Sequence, residues 1–223
     1  MGKYFMKGNH AMKHDFEYVP KSEYMPVKKE LEEIINDVQD CLRDRFTFSF
    51  TYVGSTKRKL ITRERKSNVG YDFDINLHLN IELGDYTPKQ LKNMIMKSFN
   101  KFCKDYGYDY CEDSTRVITI KRKDTRSKRI ISSCDIAIVF DLDDGSQLYI
   151  HNNKNQTTYE WQQFPTSEYE LDEKAEWVKE ADLWDELKQL YIDKKNQNDD
   201  SNRKSRSIYA ETINDLVTTY HLT

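Results

Sequence analysis

The chain has 223 residues with 35 Lys and Arg against 38 Asp and Glu, a net charge of −3 that gives no global electrostatic case for binding nucleic acid. Hydrophobic residues make up 37% and charged residues 33%, a polar balance that supports one folded core and excludes wholesale disorder. No run approaches the ~20 apolar residues needed to cross a bilayer, and the four cysteines Cys41, Cys103, Cys111 and Cys134 show no CxxC pair, which excludes a zinc set by spacing and a disulfide framework.

Residues 1–26 show no clear period and read as an irregular arm; MGKYFMKGNHAMKHDF has no apolar stretch of a secretion signal, and Met6 stands where myristoylation requires Ser or Thr. From Val27 to about Arg45, Leu31, Ile34, Ile35, Val38 and Leu42 recur at helical spacing. Phe46, Phe48 and Phe50 alternate with Thr47, Ser49 and Thr51 as in a strand, which runs into Gly54-Ser55. Residues 56–70 are basic and carry no clear period.

The run DFDINLHLNI at 72–81 alternates, so Asp72, Asp74, Asn76, His78 and Asn80 share one strand face and Phe73, Ile75, Leu77, Leu79 and Ile81 the other. Thr87-Pro88 opens a helix to about Tyr106, with Thr87 as its N-cap. Val117–Ile120 and Ile130–Phe140 read as strands, and Asp144-Gly145 turns the second into a hairpin with Gln147–His151. A polar loop at 152–166 precedes one long helix over about 168–193, striped by Trp177, Val178, Ala181, Trp184, Leu187, Leu190 and Tyr191. A polar linker at 194–206 and a final helix over about 207–220 complete the chain. The order predicts an α+β fold: a small mixed sheet flanked by helices, spanning 27–166, with a helical C-terminal part at 167–223.

Chemistry concentrates on three carboxylates. Asp72 and Asp74 project together, and two carboxylates that close stay ionised only with a cation between them; hard oxygen donors of this kind suit Mg²⁺ or Mn²⁺. Asp135 interrupts the apolar strand IISSCDIAIVF, where a lone carboxylate is costly unless it is paired or ligates a metal. Gly54 allows the backbone to approach a phosphate, the Ser55 hydroxyl can donate to one, and Lys57, Arg58, Lys59, Arg63, Arg65 and Lys66 supply positive charge nearby. A second basic run, Arg116, Lys121, Arg122, Lys123, Arg126, Lys128 and Arg129, suits either a nucleic-acid groove or a solvated strand edge. His78 shares the acidic face and reads as a satisfied cleft histidine; Trp177 and Trp184 read as core, and nothing selects Tyr149 or Tyr159 for stacking on a base.

The stretches VGS at 53–55, DFDINLHL at 72–79 and CDIAIVF at 134–140 together resemble the DNA polymerase beta superfamily of nucleotidyltransferases, in both its small prokaryotic members and its oligoadenylate and cyclic-dinucleotide synthases. The resemblance covers roughly residues 27–150, with sixteen residues between Ser55 and Asp72, more than the compact family pattern has. It implies Mg²⁺ or Mn²⁺ held at Asp72, Asp74 and Asp135, with Ser55 binding the triphosphate of an NTP; beside the residue chemistry above, Gly54, Lys57 and Arg58 are expected to join Ser55 there, in a catalytic core expected over 27–166. The expected reaction transfers NMP to a hydroxyl, a nucleotide or RNA 3′ hydroxyl being favoured over a small molecule or a protein side chain, in a cytoplasmic protein with no membrane partner. An inactive nucleotide- or RNA-binding protein of the same fold is the alternative, and a protein-interaction module built on the C-terminal helices is a third.

Overall fold

A computed structural model of the chain describes residues 13–153, 155, 157–164 and 169–221. The first twelve residues, with Gly2 and Met6, lie outside the described residues. In chain order the elements are β1 (Phe16–Tyr18), α1 (Lys21–Leu42), β2 (Thr47–Val53), α2 (Gly54–Arg58), β3 (Thr62–Glu64), β4 (Tyr71–Asn80), α3 (Pro88–Phe102) and β5 (Glu112–Asp113). They continue with β6 (Ile118–Lys123), β7 (Ile130–Asp141), β8 (Gln147–Asn152), β9 (Tyr159–Gln163), α4 (Tyr169–Glu180), α5 (Trp184–Gln197) and α6 (Ser205–His221). The expected α+β class, a mixed sheet with helices, is what the chain adopts.

Contacts divide the chain into two compact units, one of residues 18–63 and 67–167, the other of 1–17, 64–66 and 168–223. The larger unit carries a seven-stranded sheet ordered β2-β4-β7-β6-β5, with β8 on β7 and β9 on β8. Strand β4 runs parallel to β7, and the other pairings in this sheet are antiparallel. β7 is long enough to serve two partners on one edge: Ile130–Ile136 pairs with β6, and Val139–Asp141 with β8.

The alternation over 72–81 sorts the two faces of β4. Tyr71, Phe73, Ile75, Leu77 and Leu79 are at most 7% exposed and pack with Leu31, Ile34, Ile35 and Val38 of α1 and Leu91, Ile95 and Phe99 of α3. Asp74, Asn76 and His78 face the other way, half-buried. The apolar side therefore anchors the strand and leaves the polar side for chemistry. Truncating Phe73 to Ala would cost ~3–5 kcal/mol, the range for a buried aromatic residue.

Local signals explain most of the boundaries. Thr87 forms a reciprocal capping box with Gln90, whose side chain accepts from the Thr87 N–H at 2.8 Å. Gly145 takes φ +81° in the β7–β8 hairpin, where the Asp144-Gly145 pair predicts the turn.

Four expectations are corrected. The segment 1–26 is not irregular throughout its described part: β1 lies within it, and α1 begins at Lys21 with Pro26 accommodated inside the helix. The loop at 152–166 contains β9, held by pairing with β8 rather than by its own apolar pattern. The predicted 168–193 helix is two helices, broken where Asp182 adopts φ +57°, a left-handed conformation that Asp tolerates better than most residues. The linker is shorter than expected, since α5 runs to Gln197 and α6 starts at Ser205.

In the smaller unit, Val178, Leu187, Tyr191, Ile208, Tyr209, Ile213 and Leu216 are buried. The Asn196 side chain bonds both backbone groups of Phe16, at 2.6 and 3.2 Å, and the Lys195 ammonium lies 4.1 Å from the Phe16 ring centroid. Trp177 and Trp184 are half-buried on separate helices, not on one stripe, and Ala181 is exposed.

Candidate active site

Strand register decides whether the three carboxylates can meet. In the parallel β4–β7 pair, Asp74 is opposite Asp135 and Asp72 opposite Ser133. Residues in register on neighbouring strands point to the same face, so Asp72, Asp74 and Asp135 share the polar face of the sheet. The third neighbour is β2, where Val53 is opposite Asp74 and leads directly into Gly54.

Gly54 has a physical reason to be glycine. It takes φ +59°, and a Cβ placed there would lie 2.3 Å from Asp74 Oδ2. The backbone thus passes close against the carboxylate, which only a residue without a side chain permits. α2 starts at this point, and the first N–H groups of a helix have no partner within it. Ser55 is half-buried there, Lys57 is exposed, and Arg58 is close enough to act electrostatically on Asp74.

The acidic groups have hydroxyl partners. Ser133 donates to Asp72 Oδ1, and Thr119, opposite Asp135 on β6, donates to Asp135 Oδ1 at 2.6 Å. Burial pushes Asp74 up to about 6, with the charges of Asp135 and Asp72 adding to the rise and Arg58 opposing it. Asp135 is also raised, first by burial, with the Thr119 hydrogen bond opposing and Asp72 adding. Among the described residues, no group of three or more His, Cys, Asp or Glu side chains is gathered to hold a metal ion as it stands. Asp72 and Asp135 are turned to their hydroxyl donors instead. The chemistry of the set still fits a hard divalent cation: oxygen donors on one face, with burial and neighbouring carboxylate charge favouring the neutral forms of Asp74 and Asp135 until a positive charge arrives.

A cavity of about 160 Å³ opens beside Asp74 and Asp135, lined also by Val53, Asn76, Arg116 and Tyr149. That volume suits a phosphoryl group and part of a nucleotide, short of the ~300 Å³ at which clefts begin to enclose a whole drug-sized ligand. The Arg116 guanidinium lies 5.5 Å from the Tyr149 ring centroid, Tyr149 packs on Phe164 at 4.6 Å, and the Tyr149 hydroxyl donates to Gln162 at 3.0 Å. Tyr149 is therefore a buried wall of this cavity, whereas Tyr159 donates to Asp113 at 2.6 Å, away from it.

Several members of the two basic runs are held in ion pairs. Arg63 pairs with Glu23 at 2.5 Å, and Arg65 with Asp15 at 3.0 Å and Glu17 at 3.5 Å. In the second run Arg122 pairs with Glu30 at 2.7 Å and Lys123 with Asp109 at 2.6 Å, while Lys121 pairs with Glu112. Arg58 acts electrostatically on Asp74 and Lys121 on Asp135, and Arg116 lines the cavity. Sequence reasoning did not find Ser133 and Thr119 as partners of the carboxylates. The signal was present only in strand register, which composition does not reveal. All four cysteines are unbridged, and no described helix is long and apolar enough to cross a membrane.

No protein-family model matches the chain, and no curated protein matches it. Solved structures do. The Vibrio cholerae DncV cyclic AMP-GMP synthase in complex with nonhydrolyzable GTP superposes with a TM-score of 0.56 at 16% identity, over 88% of this chain and 52% of that one. Escherichia coli DncV in its 3'-deoxy GTP bound form gives 0.54 at 15% identity, over 88% and 53%. The Bradyrhizobium diazoefficiens CD-NTase CdnG in complex with GTP gives 0.50 at 16% identity, over 70% and 42%. The chain thus spans about half the length of the structures it matches. At this level of identity the likeness establishes a fold, the nucleotidyltransferase fold of those synthases.

Proposed function

We propose that this chain is a metal-dependent nucleotidyltransferase that moves NMP from an NTP to a hydroxyl acceptor with release of pyrophosphate. The observation that carries the proposal is the register of Asp74 beside Asp135, with Asp72 on the same face and the Gly54–Ser55 bend against Asp74. The fold shared with GTP-bound CD-NTases supports it.

Asp72 and Asp74 would hold Mg²⁺ or Mn²⁺, and Asp135 completes the donor set. When bound, the cation neutralises triphosphate charge and acidifies an attacking hydroxyl. Around that centre the protein's own groups position the substrate. Gly54 and Ser55 bring backbone and hydroxyl donors to the triphosphate, and Lys57 and Arg58 add positive charge. Asp135, held by Thr119, stands in register beside Asp74 and completes the acidic face on which the α-phosphate would be attacked. Catalysis is then alignment plus charge neutralisation, the usual division of labour in phosphoryl transfer. The favoured acceptor is a nucleotide or RNA 3′ hydroxyl, in keeping with Arg116 in the lining of the cavity, and the favoured location is the cytoplasm.

The experiment is incubation with each labelled NTP and Mg²⁺ or Mn²⁺, alone and with total RNA, followed by product analysis. A labelled product with pyrophosphate released supports the reading. Metal-assisted NTP binding with no product under any acceptor would instead identify a nucleotide-binding protein.

A further inference from the structure

On the same polar face lies a second constellation that the transfer site does not use. Thr51 Oγ1 is 2.8 Å from His78 Nε2, and His78 Nδ1 is 2.9 Å from Asp141 Oδ2. Gln147 Nε2 donates to the other Asp141 oxygen at 2.6 Å. An ionised carboxylate only accepts hydrogen bonds, so Nδ1 carries the imidazole proton and Nε2 of the neutral ring is left to accept from the threonine hydroxyl. A hydroxyl on a base that is oriented by a third group is the arrangement that activates a nucleophile. This goes further than the expectation that His78 is merely satisfied: both its nitrogens are engaged, in an order that directs a proton from Thr51 toward the ring.

Position ties this relay to the transfer site. Thr51 pairs with Asn76 and Val53 with Asp74, so Thr51 is the diagonal cross-strand neighbour of Asp74 on the same face. Such neighbours have Cα atoms ~7–8 Å apart and stay within reach of each other's side chains, so a phosphoryl group held at Asp74 would lie alongside the Thr51 hydroxyl. Other hydroxyls beside the cluster are poorer candidates, because Ser133 and Thr119 are 8% exposed and already donate to Asp72 and Asp135. Thr51 is exposed, on the edge strand of the sheet.

We propose that Thr51 is itself an acceptor: the protein transfers a nucleoside monophosphate onto its own Thr51 hydroxyl, with His78 as general base and Asp141 orienting it. The step balances without a further reactant. The Thr51 Oγ–H proton passes to His78 Nε2 as the Oγ–phosphorus bond forms. The bond from the α-phosphorus to the oxygen bridging the β-phosphate breaks, and pyrophosphate leaves with that electron pair. Thr51 then carries a phosphodiester-linked nucleoside, and the imidazolium is balanced by Asp141. The inference rests on the transferase reading above.

The test is peptide mapping by mass spectrometry after incubation with each NTP and Mg²⁺ without added acceptor, with pyrophosphate measured in the same samples and in parallel samples given a nucleotide acceptor. The expected result is one nucleoside monophosphate on the peptide containing Thr51, retained in Thr51→Ser, absent in Thr51→Val, and formed ~100-fold more slowly in His78→Gln, within the usual range for loss of a general base. In the nucleotide-free protein, nitrogen NMR of His78 at a pH where the ring is neutral should show the Nδ1–H form. An unmodified Thr51 in a preparation that releases pyrophosphate with the added acceptor overturns this proposal alone. No pyrophosphate in any sample overturns the transferase reading and this proposal with it. An Nε2–H tautomer removes His78 as the base.

Discussion

Replacing Asp74 with Asn is expected to stabilise the protein while abolishing transfer. The Asp74 carboxyl group is pushed up to about 6, chiefly by burial and then by the neighbouring charges of Asp135 and Asp72. Holding it ionised at pH 7 costs about 3 kcal/mol relative to an ordinary carboxylate. Asparagine has nearly the same shape and no charge, so the variant should gain up to about 3 kcal/mol, or ~6–12 °C in melting temperature for a chain of this size. The sign follows from the direction of the shift. A carboxylate with a raised folded-state value leaves the fold undisturbed while protonated, so the wild type loses stability as pH rises from about 4 to about 6. The advantage of Asp74→Asn should therefore be full above pH 6, close below pH 4, and narrow when Mg²⁺ is added to the wild type. Thermal melts followed by circular dichroism in chelator-treated buffer from pH 4 to 8 measure it. A variant no more stable than wild type at pH 7, or a difference unchanged at pH 4, would refute the electrostatic reasoning.

Gly54→Ala places a Cβ 2.3 Å from Asp74 Oδ2 on a residue with φ +59°; pyrophosphate release should fall at least ~100-fold, the scale of a 1 Å misplacement, and steady-state kinetics would show it. Thr119→Val removes the hydrogen bond that holds the Asp135 value down, so the acidic limb of the pH–rate profile should move to higher pH; an unmoved limb would separate Asp135 from the rate-limiting chemistry. Lys92 is 1% exposed, pairs with Asp113 at 2.6 Å and donates to the Ser114 carbonyl at 2.6 Å. Lys92→Met should lower stability by ~3–5 kcal/mol in urea melts, as expected when one partner of a buried pair is removed, and Lys92→Met/Asp113→Asn should recover part of the loss.

The polar face of β4 was legible because alternation sorts side chains by a fixed period: Phe73 and Ile75 demand a core, and Asp72 and Asp74 must then face away from it. Thr87 and Gly145 were legible because a cap and a turn are local chemistry. Partner choice was not. Arg63 and Arg122 look in sequence like members of basic runs, yet Glu23 and Glu30 lie 40 and 92 residues away and neutralise them. Strand β9 forms because β8 offers an edge, a property of the neighbour rather than of Tyr159–Gln163. The α4–α5 break depends on one residue, Asp182, entering a left-handed conformation inside an otherwise helical pattern. The candidate site shows the same division. Asp72, Asp74 and Asp135 stand out as costly residues in apolar strands, whereas Ser133, Thr119 and the Thr51–His78–Asp141 relay emerge only once register brings distant strands together.

The most direct test of the central claim is pyrophosphate release from NTP and Mg²⁺ by the wild type and by Asp72→Ala/Asp74→Ala, with folding of both confirmed by circular dichroism. Loss of the carboxylates should lower the rate at least ~1,000-fold, on the scale of losing the main electrostatic contribution to a transfer reaction. A double variant that releases pyrophosphate at the wild-type rate would show that these side chains do not carry the chemistry.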